Sequence, residues 1–127
     1  ICTTKVTADA NLECSTNPDI DTYDKIFLLS KNEFEKYLSE IGRRMCYPTE
    51  YAKTTKLRVD DYKDSIFYGA CTWWLRSPVN AIARNDRINR STAACVAEHG
   101  LIALYGYLVH NKDVAVRPAL WLNLDRP

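Results

Sequence analysis

The sequence predicts an α+β domain, with two helices in the N-terminal half and a short-strand antiparallel meander in the C-terminal half. Three observations carry this expectation. Ser30 and Glu33 have the S-x-x-E spacing of a capping box, and Phe34, Tyr37, Leu38 and Ile41 follow at helical spacing. Two strings of similar build, Trp73-Trp74-Leu75-Arg76-Ser77-Pro78 and Val114-Ala115-Val116-Arg117-Pro118-Ala119-Leu120-Trp121-Leu122, hold all three tryptophans. Each reads as a strand that carries an arginine and stops or bends at a proline. Between them, Ala93 to Ala97, Leu101 to Leu104 and Tyr107 to Val109 are short apolar runs separated by Glu98-His99-Gly100 and Gly106.

Residues 1 to 23 alternate weakly through Val6, Ala8 and Ala10 and then become polar and turn-rich at Asn17-Pro18-Asp19, an extended segment entering a loop. Asp24 to Ser30 is a short apolar strand that ends on the helix cap. The capping box and the apolar face predict a helix at about 31 to 40, and Glu33, Glu35, Lys36 and Glu40 read as its solvated side. Thr49, after Pro48, caps a second short helix holding Tyr51 and Ala52. Residues 56 to 69 mix charges with Val59, Ile66 and Phe67 and read as loop with one strand at most. From Val79 the chain offers Asn80, Arg84, Asn85, Asp86, Arg87, Asn89 and Arg90 in close succession, which fits no helix or strand pattern and reads as an exposed loop. The meander then closes, after a polar turn at Asn111-Lys112-Asp113, on a strand from Val114 to Leu124.

Size and composition narrow the function. The chain has 127 residues, 46% hydrophobic and 26% charged, enough for one domain with a real core. No apolar run is long enough to cross a bilayer, and no signal-peptide pattern opens the chain. A net charge of +1 argues against a dedicated nucleic-acid binder. Arg84, Arg87 and Arg90 are spaced by three, but the residues between them make a solvated loop a better account than a basic helix. Five cysteines without a CxxC pair give no zinc signature. They read as reduced, partly buried thiols, with one disulfide open between the pairs Cys2–Cys14 and Cys46–Cys71. Trp73, Trp74, Arg76, Arg117 and Trp121 read as structural core. The two arginines, set in apolar strings, need an acidic partner, with Asp24, Asp61 and Asp64 as candidates, or loop carbonyls.

The strings WWLRSP and AVRPALWLNL, the AACV run before Gly100, the DKIFLLS segment with its helix, and the pattern at Arg44, Cys46, Pro48, Thr49, Tyr51 and Ala52 resemble a bacterial domain family of unknown function, common in gut Firmicutes. The resemblance spans nearly the whole chain. Members carry a further stretch upstream of the position matching Ile1, so it implies that residues 1–127 are a single domain lacking that upstream part. The family in turn is similar to the C-type-lectin-like fold of formylglycine-generating enzymes and of the variable proteins of diversity-generating retroelements. One departure stands out: Val79 replaces the glycine usual after WWLRSP. Valine disfavours a positive φ, so the chain is expected to leave the tryptophan strand by another path.

The resemblance implies a non-enzymatic display domain at a bacterial or phage surface, binding a protein or glycan through the 79–113 region without a cofactor or metal. The matching positions are Asn80, Arg84, Asn85, Asp86, Arg87, Asn89, Arg90, Glu98, His99, Tyr105, Tyr107, His110 and Asn111. Tyrosine, arginine and asparagine suit recognition, giving amphipathic area and planar or adaptable donors at low entropy cost. The alternatives are a structural or accessory module of a larger surface protein and, more remotely, a copper oxidase using Cys71 and Cys95. Neither His99 nor His110 has a nucleophile beside it in sequence. Asp86, Glu98 and Asp113, with Asn85 and Asn111, do not form the acid-amide pairs of a calcium-dependent lectin.

Overall fold

A computed structural model describes residues 1–8, 20–79 and 92–125, with the side chains of 104 and 105 also outside the description. It is a mixed α+β arrangement of two small antiparallel sheets and short helices. Strands β1 (Thr4–Val6) and β2 (Thr22–Asp24) pair with each other, Lys5 opposite Tyr23. Strands β3 (Trp73–Pro78), β4 (Thr92–Val96) and β5 (Ile102–Leu108) form the second sheet in sequence order.

Three helical segments are present where two were expected: α1 (Lys31–Tyr37), α2 (Ile41–Arg44) and α3 (Glu50–Lys53). Local chemistry explains the first and third. At α1 the Ser30 hydroxyl accepts from the Glu33 amide at 3.1 Å, and the Glu33 carboxylate accepts from the Ser30 amide at 2.9 Å. The helix ends at Tyr37 rather than near residue 40, because Leu38 leaves helical geometry and its amide caps back onto the Phe34 carbonyl. Thr49 opens α3 by accepting from the Ala52 amide at 3.2 Å.

The three-stranded sheet is buried on both faces. Trp73, Leu75, Val79, Ala94 and Val96 meet Phe34 of α1 on one side, while Trp74, Cys95 and Val114 pack on the other. Trp73 is the centre of the first layer. Its ring meets Phe34 edge to face at 5.7 Å, its indole N–H donates to the Arg44 carbonyl at 2.9 Å, and the Arg117 guanidinium lies 4.8 Å from its ring centre. Burying an indole of this size contributes about 4–6 kcal/mol before entropy is counted. Val79 sits in the same layer, and its backbone stays hydrogen-bonded to Thr92, so it extends the strand interface.

Two runs expected as separate strands, Leu101 to Leu104 and Tyr107 to Val109, are one strand. In β5 the register slips between the pairs Ala93–Tyr107 and Cys95–Ala103. Gly106 makes the bulge possible: its φ is +56°, and a Cβ there would stand 2.2 Å from the Ala93 carbonyl oxygen. Past Asp24, the last residue of β2, the run to Ser30 is not a regular strand, and neither is Val114 to Leu124; these two runs contribute isolated bridges, Phe27 with Ala119 and Trp73 with Ala115. Trp121 is accordingly no core residue: it is 45% exposed and leans edge-on against Tyr37 at 5.7 Å.

Arg76 is fixed by an acidic residue, but by Glu33 rather than Asp24, Asp61 or Asp64. The guanidinium forms a fork with both Glu33 oxygens, and its NH1 and NH2 groups also donate to the carbonyls of Leu28 (2.8 Å) and Thr7 (2.9 Å). Glu33 therefore belongs to the interior knot and not to a solvated helix face. Burial pushes its carboxyl pKa up, and Arg76 together with the Ser30 amide outweighs that and holds it below the ordinary value. Arg117 takes the other expected route and donates to the Arg43 carbonyl at 2.9 Å.

Candidate functional site

The candidate face is organised by Arg58, in the extended run Leu57-Arg58-Val59 that crosses toward β3. The Arg58 carbonyl accepts from the Thr72 amide and its amide donates to the Asp113 carbonyl, so both backbone groups are held. Its guanidinium is fixed three ways: a two-pronged contact with Asp113 Oδ2 (3.2 and 2.9 Å), a hydrogen bond to the Tyr107 hydroxyl (2.7 Å), and stacking over the Tyr107 ring at 4.5 Å. Asp113 raises the guanidinium pKa above its ordinary value. Asp113 Oδ1 is a buried acceptor without a hydrogen-bond partner among the described residues.

The sheet dictates this geometry. Tyr107 is opposite Ala93, on the face that carries Trp74 and Cys95, and its ring packs against that layer while its hydroxyl reaches outward. Around Arg58 an open depression of about 610 Å³ is lined by Thr55, Lys56, Asn111, Lys112 and Asp113. Arg58, immobilised by Tyr107 and Asp113, is the planar cation in its wall, and the rest of the lining offers amide, hydroxyl and ammonium groups.

Of the residues expected to bind, Tyr107 and Asn111 belong to this face or its rim. Glu98 approaches from the β4–β5 turn, where its carboxylate accepts the Thr72 hydroxyl at 2.9 Å and adds to the field on Arg58. His99, in the same turn, is exposed, with its ring edge against Phe67, and its Nδ1 accepts from the Leu101 amide. His110 is exposed in the turn after β5, at the opposite end of the sheet from His99. Asn80, Arg84, Asn85, Asp86, Arg87, Asn89 and Arg90 lie outside the described residues, and Tyr105 is placed in β5 by its backbone alone. Reading residues 56 to 69 as loop with one strand at most does not single out Arg58. The Leu57-Arg58-Val59 alternation was the available signal.

A second concavity, a groove of about 440 Å³, runs between α3 and the 112–118 segment, with Cys46 and Cys71 in its wall. Cys71 turns toward Cys46, whereas Cys95 is packed with Trp74 and Val114, where burial pushes its thiol up to about 12. Among the described residues, no three or more His, Cys, Asp or Glu side chains gather as metal ligands, and no helix is long and apolar enough to cross a membrane.

The family model described as Domain of unknown function (DUF6273) matches residues 1–124. The chain belongs to that family. No curated protein and no solved structure matches it.

Proposed function

We propose that this chain is a non-enzymatic binding module of C-type-lectin-like type, displayed on a bacterial or phage surface, which recognises a protein or glycan through the Arg58–Tyr107 face and further residues of the 79–113 region. The observation that carries the reading is the immobilised pair itself: Arg58 is hydrogen-bonded to Asp113 and Tyr107 while stacked on the Tyr107 ring. Groups already held in place lose little entropy on binding, and tyrosine and arginine are the residue types that dominate recognition surfaces. Kinship to the variable proteins of diversity-generating retroelements is part of this proposal, and the gene's neighbourhood tests it: a reverse transcriptase with an adenine-biased template repeat is expected there.

The direct test probes a glycan array and a panel of bacterial surface proteins with the native domain, Arg58→Ala, and an Arg87→Ala/Tyr107→Phe double variant. Ligands bound by the native domain should weaken at least about tenfold in Arg58→Ala, the loss of one well-placed contact of about 1.4 kcal/mol. Melting of each variant is followed in parallel. A ligand whose affinity ignores all three substitutions overturns the proposal and favours the second reading, an accessory module that holds a larger surface protein together.

A further inference from the structure

The groove beside α3 carries chemistry that the binding face does not use. Cys46 follows α2, and Cys71 lies two residues before the start of β3. The Cys71 amide donates to the Cys46 carbonyl at 2.7 Å, and the Cys71 thiol donates to the same carbonyl at 3.1 Å. A direct backbone hydrogen bond of this kind keeps two Cα atoms within roughly the 4.4–6.8 Å that a disulfide spans. Both are free thiols. Their surroundings differ. Cys71 is fully buried, while Cys46 is part-exposed in a groove walled by Tyr47, Pro48, Ala52, Val114 and Arg117. Arg117 is anchored on Trp73 and the Arg43 carbonyl, which holds a fixed positive charge near the pair.

We propose that Cys46 and Cys71 form a thiol–disulfide exchange site, with Cys46 the attacking and Cys71 the resolving thiol, and that the groove admits a small aliphatic disulfide as co-reactant. The partition between the thiols follows their environment. The neighbouring Cys71 thiol, with the Arg117 charge, lowers the Cys46 thiol pKa to about 7, so a large fraction is thiolate at neutral pH. The same interaction, with burial, pushes Cys71 up and keeps its proton in place until Cys46 has reacted.

The Cys46 thiolate attacks one sulfur of the small disulfide, forming a mixed disulfide and expelling the first small thiolate. Cys71 then gives up its proton and attacks the Cys46 sulfur, forming the Cys46–Cys71 bond and expelling the second. Two protein thiols are oxidised, one disulfide is reduced to two thiols, and the protons released by the two cysteines end on those products. Closing the bond ties the segment after α2 to the start of β3 around residues 47–70, and is expected to raise the melting midpoint by roughly 10 °C.

The test incubates the reduced native domain with oxidised glutathione across pH 5 to 9, followed by alkylation, peptide mapping and melting. A Cys46–Cys71 linkage whose rate rises with a midpoint near pH 7, together with the higher melting midpoint, supports the site. In Cys71→Ser, glutathione should remain trapped on Cys46. Glutathione found on Cys2 or Cys95 with Cys46 unmodified overturns the proposal, as does alkylation of Cys46 in the native protein with a midpoint near the ordinary thiol value of 9. The alkylation arm needs no variant and stands even where Cys71→Ser fails to fold.

Discussion

The two tryptophan strings resemble one another in sequence and differ in fate. Residues 73–78 form a strand with β4 along one edge and Ala115 against the other, and Trp73 is inaccessible to solvent. Residues 114–122 pair with the rest of the chain through isolated bridges and a few side-chain contacts, and Val116, Leu120, Trp121 and Leu122 are exposed. The arginines diverge likewise: Arg76 meets a carboxylate and two carbonyls, Arg117 a carbonyl and a ring face. What separates the strings is the number of neighbours the fold supplies, since both have strand-forming composition.

Truncations should therefore have unequal effects. Trp73→Ala is expected to cost about 3–5 kcal/mol in denaturant unfolding, the range for emptying a core aromatic site, while a loss below about 1 kcal/mol would remove the contrast. Arg76→Ala should follow at about 2–4 kcal/mol, because it strands the Glu33 carboxylate as well as two carbonyls. Arg117→Ala is expected to lose about 1 kcal/mol, one hydrogen bond and one stacking contact. Trp121→Ala should fall within about 1 kcal/mol of the parent, as an exposed aromatic held by one edge contact does.

The pH dependence sharpens the same comparison. Glu33 is lowered from 4.5 in the folded chain, so its ionised form stabilises the fold above that value, and the stabilisation is lost as pH falls through the folded pKa. Melting curves from pH 7 down to pH 3 should show the native midpoint dropping below about pH 4.5. Glu33→Gln should start lower at pH 7 and show a shallower fall, and an unchanged slope would mean that other carboxylates govern the acid limb.

The legible parts of the sequence were those with local causes. Ser30 with Glu33, and Thr49, act on amides two or three residues away, and a spacing is enough to find them. Trp73 and Trp74 were readable as core because two adjacent indoles can scarcely avoid burial. The pairing of Arg76 with Glu33 joins residues 43 positions apart, and periodicity placed Glu33 on the outside of its helix because it has no term for a partner elsewhere. Trp121 was misplaced for the converse reason: composition announces a strand without saying whether one forms. At the candidate site, residue type singles out Tyr107, whereas Arg58 meets Tyr107 and Asp113 only through contacts that span 49 and 55 residues.

The guanidinium of Arg76 holds three distant pieces of chain at once: the residue after β1, the approach to α1 and the middle of β3. A segment so tied cannot fray by itself, so the first hairpin and the first helix should open to solvent as one event rather than two. Amide exchange at Val6 and at Phe34 would then share a common rate and a common response to denaturant, an end of the chain with the persistence of its interior.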